Sequence, residues 1–491
     1  MKIYITGLPS GYEVEHLIRL FYPMAPLTLT PPEAGEDCVW AEKTADGLRA
    51  MVREQGETRT AEAPLPKPVE EGGETPEFSL ASLTYDLLRS WTGIRPPWGK
   101  MTGVRPVRLI HDKRAAGWTE AEIDRFFLGR FDCSEQKYTM AKQIADLQEP
   151  ILKRGCQPKA YSLYLGIPFC PSRCSYCSFV SCNLDRDRKM VQPYVDCLCR
   201  EVEAIRREVD QAGLELCSIY IGGGTPTSLS ADQLRQLMGT VRDNFDLSHI
   251  AEYTVEAGRP DCTDAEKLRV IKKYGATRIS INPQTFSDTV LQNIGRRHTA
   301  QDIIDCFAAA RAAGHTNINM DLIAGLPGDT VEGFAASLRQ AIALAPENIT
   351  VHTLTLKRAS NIVVEHRAAD YADVAAMLDS CSMLAEAGYR PYYMYRQKGT
   401  LQNLENIGWA KPGFECLYNI YIMEEVHTIL SAGAGGSTKL VIPGQRRGKI
   451  ERIFNFKYPT EYIDRFAELL DRKKAVEDFY ARYTSQTLHQ P

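Results

Sequence analysis

The chain has 491 residues, 44% of them hydrophobic and 24% charged, and a net charge of −4. One hydrophobic core rarely serves that length, so two or three domains are expected. The composition is that of a globular protein, the mildly acidic balance gives no electrostatic case for nucleic acid, and no uncharged apolar run is long enough to span a membrane.

In chain order, the opening MKIYITGLPSGYEVEHL lacks the charged-then-apolar pattern of a secretory signal. With 14 cysteines, the expectation is a cytoplasmic protein with reduced thiols, some of them metal ligands. A short strand (Lys2–Thr6) and a helical run (Glu13–Phe21) are followed by strand-like pieces near Cys38–Glu42 and Ala50–Glu54. Glu57–Glu77 is rich in Pro, Glu, Gly and Thr and reads as a flexible linker. A helix over Leu80–Thr92, the broken segment GIRPPWGKMTGVRP and helical pattern over about 119–153, starting at Glu120 and Glu122, complete an α+β N-terminal extension of residues 1–155.

From Tyr161 apolar runs of strand length alternate with helical patterns. The strands are Ser162–Ile167, Ser218–Gly222, Glu252–Ala257, Arg278–Asn282, Asn317–Ile323 and Ile349–Leu356. The helices between them are Gln192–Ala212, Ala231–Asn244, Ala265–Tyr274, Gln301–Ala313 and Val331–Leu344, with Gly213, Gly275 and Gly314 at their C-terminal ends. This is the pattern of parallel βαβ units, and six of them make a partial (β/α)6 TIM-like barrel, assigned to residues 156–370. A C-terminal α+β domain (371–491) follows, with helices over Ala372–Ala387 and Cys416–Leu430, the aromatic run YRPYYMYRQ and a charged helical tail over Tyr458–Tyr483. The turn SAGAGGSTK lacks the spacing of a phosphate-binding loop and reads as the end of the second helix.

The chemistry concentrates after the first barrel strand, in LYLGIPFCPSRCSYCSF. Cys170, Cys174 and Cys177 put three thiolates on one short loop, enough for three irons of a cubane cluster with the fourth iron open to another ligand. The alternative is a zinc site with Cys182 as a fourth ligand. Parallel barrels do their chemistry at the C-terminal ends of their strands. There stand the glycines of IGGGTPT (Gly223, Gly224, Thr225), then Glu256, Gln284 and Asp321, a set suited to ribose hydroxyls and an amino group. Arg296 and Arg297 are equal candidates on chemistry alone for pairing a carboxylate.

The Cys-x3-Cys-x2-Cys loop with Tyr176 before its last cysteine resembles the signature of the radical S-adenosylmethionine superfamily. That resemblance implies a [4Fe–4S] cluster whose open iron holds S-adenosylmethionine, cleaved to a 5′-deoxyadenosyl radical that abstracts hydrogen from substrate. The stretch from Tyr161 to Arg358, with YLGIPFC, GGGTPT, RISINPQTF, IGRRHTA and MDLIAGLPG, resembles the coproporphyrinogen dehydrogenases. The flanking GKMTGVRP and CLYNIYIMEEVHTILSAGAGGSTK resemble the HemZ-type oxygen-independent coproporphyrinogen III oxidases. The family pattern places Cys170, Cys174 and Cys177 on the cluster. It places Tyr164, Tyr176, Gly223, Gly224, Thr225, Glu256, Gln284, Arg296 and Asp321 on the cofactor, Arg296 being preferred to Arg297 by its spacing from Gln284.

The resemblance implies a radical oxidoreductase of haem biosynthesis. It would convert two propionates of coproporphyrinogen III to the vinyl groups of protoporphyrinogen IX with loss of CO2, fed by a flavodoxin- or ferredoxin-type electron donor. No catalytic residue beyond the cluster and cofactor ligands is assigned. Lys357, Arg358 and Arg396 are candidates for holding substrate carboxylates. Tyr392, Tyr393 and Tyr395 either stack on a macrocycle or form an edge strand. Phe179 stands where the dehydrogenase has a further cysteine, as in the related haem chaperones, whereas MYRQ (Met394–Gln397) departs from the chaperone pattern at that place. A haem carrier of the same family, or a radical enzyme acting on another tetrapyrrole, are the alternatives. Cys197, Cys199 and Cys306 read as thiols on helices, and His298, His315 and His352 have no metal-like spacing.

Overall fold

A computed structural model describes residues 1–487 except 70–72, 104, 156, 356–372, 398–399 and 443–448. The chain forms two units. The first is essentially Met1–Lys142, joined by a short stretch that includes Arg396; the second holds most of the rest.

The first unit is built on a five-stranded sheet in the order β2-β1-β3-β4-β5, with β1 Lys2–Thr6, β2 Leu27–Thr28, β3 Cys38–Lys43, β4 Gly47–Glu54 and β5 Glu57–Pro64. Helices Tyr12–Ile18 and Pro76–Thr92 add Val14, Leu17, Leu80 and Leu88 to a core with Ile3 and Val52. The expected linker from Glu57 is corrected here. Gln55 and Gly56 both take left-handed φ (51° and 85°), the two-residue turn that suits a hairpin, and β5 pairs with β4 from Glu54↔Glu57 to Gly47↔Pro64. As an edge strand it is largely exposed, which is why its composition resembles a linker. The next helix starts at Pro76 under a Thr75 cap.

The second unit carries an eleven-stranded sheet in the order β14-β15-β13-β12-β11-β10-β9-β6-β16-β17-β18. Its strands are β6 Ala160–Ile167, β9 Glu215–Gly223, β10 Glu252–Glu256, β11 Arg278–Ser280, β12 Ile318–Ala324, β13 Asn348–Thr353, β14 Arg390–Arg396, β15 Glu405–Ala410, β16 Thr428–Ala432, β17 Ser437–Leu440 and β18 Glu451–Phe454. β7 Phe169–Cys170 and β8 Cys182–Asn183 form a separate short pair. The six strands expected for the barrel all form, parallel to one another, and β13 is closed on its outer side by the antiparallel β15. Intervening helices bury apolar faces against them, Ser230 and Thr299 closing capping boxes at two helix starts.

Two differences come from the end of the chain. The helix expected over Cys416–Leu430 stops at Glu424, with Glu425 at φ 52°, and residues Thr428–Ala432 become a strand parallel to β6. The glycine-rich turn therefore follows a strand and leads into the antiparallel β17. The tyrosine run forms β14, an edge strand in which Tyr392 and Tyr393 are buried and Tyr395 half-buried, so the edge-strand reading holds.

The turn after β16 is fixed from behind by a buried ion pair. Glu201, on helix Val191–Ala212, and Lys473, on helix Phe466–Lys473, meet at 2.9 Å with side chains 0% and 1% exposed. Every lone-pair direction of the carboxylate is used: Tyr462 Oη donates at 2.6 Å, the Gly433 N–H at 2.8 Å and Asn455 Nδ2 at 2.8 Å. Lys473 also donates to the Ser431 carbonyl. Removing one partner leaves an uncompensated charge in the interior. Lys473→Met is expected to cost about 3–5 kcal/mol in urea unfolding of the second unit, whereas Glu201→Gln with Lys473→Met together should cost less than the sum of the two single changes.

Candidate active site

Because β6, β9–β13 and β16 run parallel, the loops that follow them gather on one rim. β6 leads through Pro168 into the cysteine loop. Cys174 is buried and Cys170 and Cys177 are half-buried. The loop is anchored by the Ser175 N–H donating to the Ile294 carbonyl (3.0 Å) and the Ser172 hydroxyl donating to the Gly295 carbonyl (3.0 Å). The three thiols are mutual neighbours. Burial first, then Cys174 and Cys170, push the Cys177 thiol up to about 11; burial and Cys174 raise Cys170 as well, against an opposing contact from Thr225. Three adjacent thiolates thus require compensating positive charge.

The glycine turn after β9 packs directly on this loop. Gly224 N–H donates to the Ile167 carbonyl at 2.7 Å and Thr225 N–H to the Phe169 carbonyl at 2.8 Å. A Cβ on Gly224 would lie 2.7 Å from Phe169 O, 2.9 Å from Ile167 O and 3.0 Å from Cys170 Sγ. Gly223, at φ 110°, would bring a Cβ to 3.2 Å from Ile167 N and 3.4 Å from Tyr164 Oη. Thr225 Oγ1 stands 3.6 Å from Cys170 Sγ.

Glu256 ends β10 and accepts a 2.6 Å hydrogen bond from Tyr220 Oη. Burial pushes its carboxyl up to about 7, and the charge of Asp321 adds to the rise while Tyr220 and Arg278 oppose it. Asp321, on β12, is half-buried like Glu256, but His352 Nε2 at 3.7 Å, Asn319 Nδ2 at 2.7 Å and Arg278 outweigh its desolvation and hold it below the ordinary carboxylate value. Strand β11 ends at Ser280, so Gln284 lies beyond it rather than within it. Gln284 sits at φ 68°, its N–H donating to the Asp321 carbonyl and its own carbonyl accepting from Ile323 N–H. A left-handed glutamine is a strained position, and its buried Oε1 has no hydrogen-bond partner.

The geometry separates the two arginines. Arg296 is buried, donating to the Asn282 carbonyl (2.7 Å) and to Tyr176 Oη (3.3 Å), with Nε unpartnered. Arg297 has a side chain 60% exposed and pairs with Asp185 at 3.2 Å. Lys357 and Arg358 lie outside the described residues. Arg396 is buried in the first unit, its guanidinium taken up by the Met101, Gly103 and Asn403 carbonyls, so it is not available as a carboxylate holder.

Three features were not read from sequence. Tyr418 is buried and stacks on Tyr220 (4.6 Å) and Tyr164 (6.3 Å), closing the barrel interior with three rings. Glu252 accepts from the Leu417 N–H at 2.8 Å and so holds the helix that carries Tyr418. Arg259, in the loop after β10, reaches the cysteine loop, and its place just past a strand end was the available signal.

Three neighbouring thiols on one short loop suit a cluster, whose iron corners each take one thiolate. The unpartnered Arg296 Nε suits the carboxylate of a polar ligand, and the unpartnered Gln284 Oε1 suits a donor group on it.

Comparison with known proteins agrees. A model described as the radical SAM superfamily matches residues 164–341. Over 415 residues, 83% of this chain and 82% of the relative, the sequence is 39% identical to the oxygen-independent coproporphyrinogen-III oxidase-like protein HemZ of Bacillus subtilis. The chain belongs to the radical SAM superfamily. It is also 33% identical to the haem chaperone HemW of B. subtilis over 62% of this chain and 76% of that one. The radical SAM enzyme coproporphyrinogen III oxidase (HemN) of Escherichia coli superposes with a TM-score of 0.52 at 25% identity, covering 69% of this chain and 73% of that one. The cofactors of radical SAM enzymes are a [4Fe–4S] cluster and S-adenosylmethionine. Among the described residues no helix is long and apolar enough to cross a membrane.

Gly224→Ala should displace the cysteine loop, because every atom that the new Cβ meets is backbone or Cys170 Sγ. The expected outcome is a several-fold loss of iron and sulfide per chain after anaerobic reconstitution, with the far-ultraviolet circular dichroism unchanged.

Proposed function

We propose that this protein carries out the oxygen-independent oxidative decarboxylation of coproporphyrinogen III to protoporphyrinogen IX, a step of haem biosynthesis. The observation that supports the reading is the gathering of Cys170, Cys174 and Cys177, the glycine turn, and Glu256, Gln284, Arg296 and Asp321 on one rim of a barrel whose chain is 39% identical to a coproporphyrinogen-III oxidase-like protein. In this reading the three cysteines hold the cluster. Bound together, the cluster and S-adenosylmethionine supply hydrogen-atom abstraction.

The rest falls to the protein's own side chains. Arg296, held by Asn282 and Tyr176, directs its free Nε–H at the cofactor carboxylate. The backbone of Gly223 and Gly224, with Thr225 and Tyr164 beside it, would take the methionyl end of the cofactor. Glu256, Gln284 and Asp321 offer oxygen acceptors to ribose hydroxyls and the amino group. The buried ring of Tyr418 and the half-buried rings of Tyr164 and Tyr220 stack in the interior of the barrel below them, which limits the access of water to the reacting atoms from that side. An electron donor protein of flavodoxin or ferredoxin type belongs to the same proposal. A haem carrier is the second reading, favoured by the HemW similarity and by Phe179, whose ring is 65% exposed two residues beyond Cys177.

Glu256 gives a pH signature. Its folded-state value of about 7 lies above the ordinary carboxylate value, so the folded protein holds this proton until the pH rises through about 7. A ligand bearing an ammonium and a sulfonium binds the ionised carboxylate better. Affinity for S-adenosylmethionine, measured by calorimetry on the reconstituted protein, should therefore rise as the pH passes through that value, and Glu256→Gln should flatten the rise.

The function is tested by anaerobic incubation of the reconstituted protein with coproporphyrinogen III, S-adenosylmethionine and a reductant, followed by product masses. Loss of two CO2 per tetrapyrrole with formation of 5′-deoxyadenosine is the expected result. An unchanged tetrapyrrole together with a stable, stoichiometric haem complex would establish the carrier instead.

A further inference from the structure

The loop after β10 brings a charged pair against the cysteine loop. Arg259 and Asp261 are joined in two places, Nε to Oδ1 at 3.0 Å and an Nη to Oδ2 at 2.6 Å, with side chains 4% and 15% exposed. The other edge of the guanidinium faces the cluster ligands. One Nη donates to the Ser172 carbonyl at 2.8 Å and stands 3.9 Å from Cys174 Sγ; the second donates to the Ser172 hydroxyl at 3.0 Å. Ser172 lies between Cys170 and Cys174, so Arg259 both shapes that span and sets a positive charge beside one thiolate. Behind the pair, His298 Nδ1 lies 3.8 Å from Asp261 Oδ1, with both ring nitrogens buried and without hydrogen-bond partners.

We infer that Arg259 and Asp261 form a positioning pair that sets the reduction potential of the cluster. The inference rests on the cluster reading given above and concerns residues outside the cysteine and cofactor sets. Reduction adds one electron to a cluster already held by thiolates. A guanidinium near a ligand sulfur stabilises that added negative charge, and so raises the potential. Asp261, bidentate on the same guanidinium with its side chain 15% exposed, offsets part of that charge and lowers the potential. The two residues therefore act with opposite signs, although they lie in one ion pair. A pair that only braced the loop would not produce opposite signs.

The test is a potentiometric titration of the anaerobically reconstituted full chain with sodium dithionite as reductant. The electron paramagnetic resonance signal of the reduced cluster is followed in wild type, Arg259→Gln, Arg259→Lys and Asp261→Asn, and iron content is measured on each sample. The expected midpoint is more negative than wild type for Arg259→Gln, near wild type for Arg259→Lys and less negative for Asp261→Asn. Iron-loaded variants that share the wild-type midpoint, or that all move in one direction, would overturn the inference. If Arg259→Gln does not retain iron, the other two variants decide. A raised midpoint in Asp261→Asn upholds the pair's role, and an unmoved one rejects it. A wild-type chain that takes up no iron and gives no signal would instead reject the cluster assignment itself.

Discussion

Everything at the rim of the barrel depends on how closely two backbone segments approach. The turn after β9 lies against the loop after β6, with Gly224 and Thr225 donating to Ile167 and Phe169 across a gap that admits no side chain. This contact sets the distance between the cysteine loop and the surface over which a ligand would lie. It also explains why Gly223 and Gly224 stand at the end of a parallel strand, where glycine otherwise weakens the strand; a Cβ on Gly222 would meet Tyr220 and Glu256 instead. Two of the three thiols sit on either side of the anchoring serine, and the whole loop is tied to the segment that carries Arg296 through Ser172 and Ser175. The metal ligands and the candidate carboxylate binder are thus parts of one hydrogen-bonded assembly.

Inside the barrel, charge is distributed unevenly among polar groups. Two carboxylates, Glu256 and Asp321, stand close enough for each to affect the other, yet their environments drive them apart. Asp321 has His352 and Asn319 against it and stays ionised. Glu256 keeps its proton to near neutrality because burial and the charge of Asp321 outweigh the hydrogen bonds it accepts from the Tyr220 phenol and the glycine backbone. Arg278, buried beneath both with its Nε unpartnered, favours the ionised form of each. Such a separation of two neighbouring acids gives one site a permanent negative charge and a second that responds to what binds.

Much of this was legible in the residues. The six parallel strands stood out because strand-length apolar runs alternate with helical patterns, and each forms within a few residues of its expected bounds. The cysteine loop, the glycine turn, Glu256 and Asp321 were found because barrel chemistry belongs at the C-terminal ends of strands. What failed did so for physical reasons. β5 carries the residues of a linker because an exposed edge strand has little apolar surface to show. β16 continues an apolar pattern out of a helix, and only the left-handed turn at Glu425, which Glu is not known for, separates the two. Chemistry alone left Arg296 and Arg297 equal and only the family spacing favoured Arg296, because neighbouring identical side chains do not reveal which one is buried. Arg259 stands just past a strand end, but its contact with a serine 87 residues earlier is set by the fold alone.

The strand β6 that leads into the cysteine loop is paired on one side by β9 and on the other by β16, and Ser162 meets His427 at 2.8 Å across 265 positions of the chain. During synthesis that strand emerges long before its second neighbour exists. The cysteines are therefore exported from the ribosome on a half-paired strand, and contacts this distant form late. The scaffold that fixes the three thiols is in consequence complete only once residues 428–432 have joined β6: a chain that stops before them presents the thiols at the end of a strand lacking one of its two neighbours.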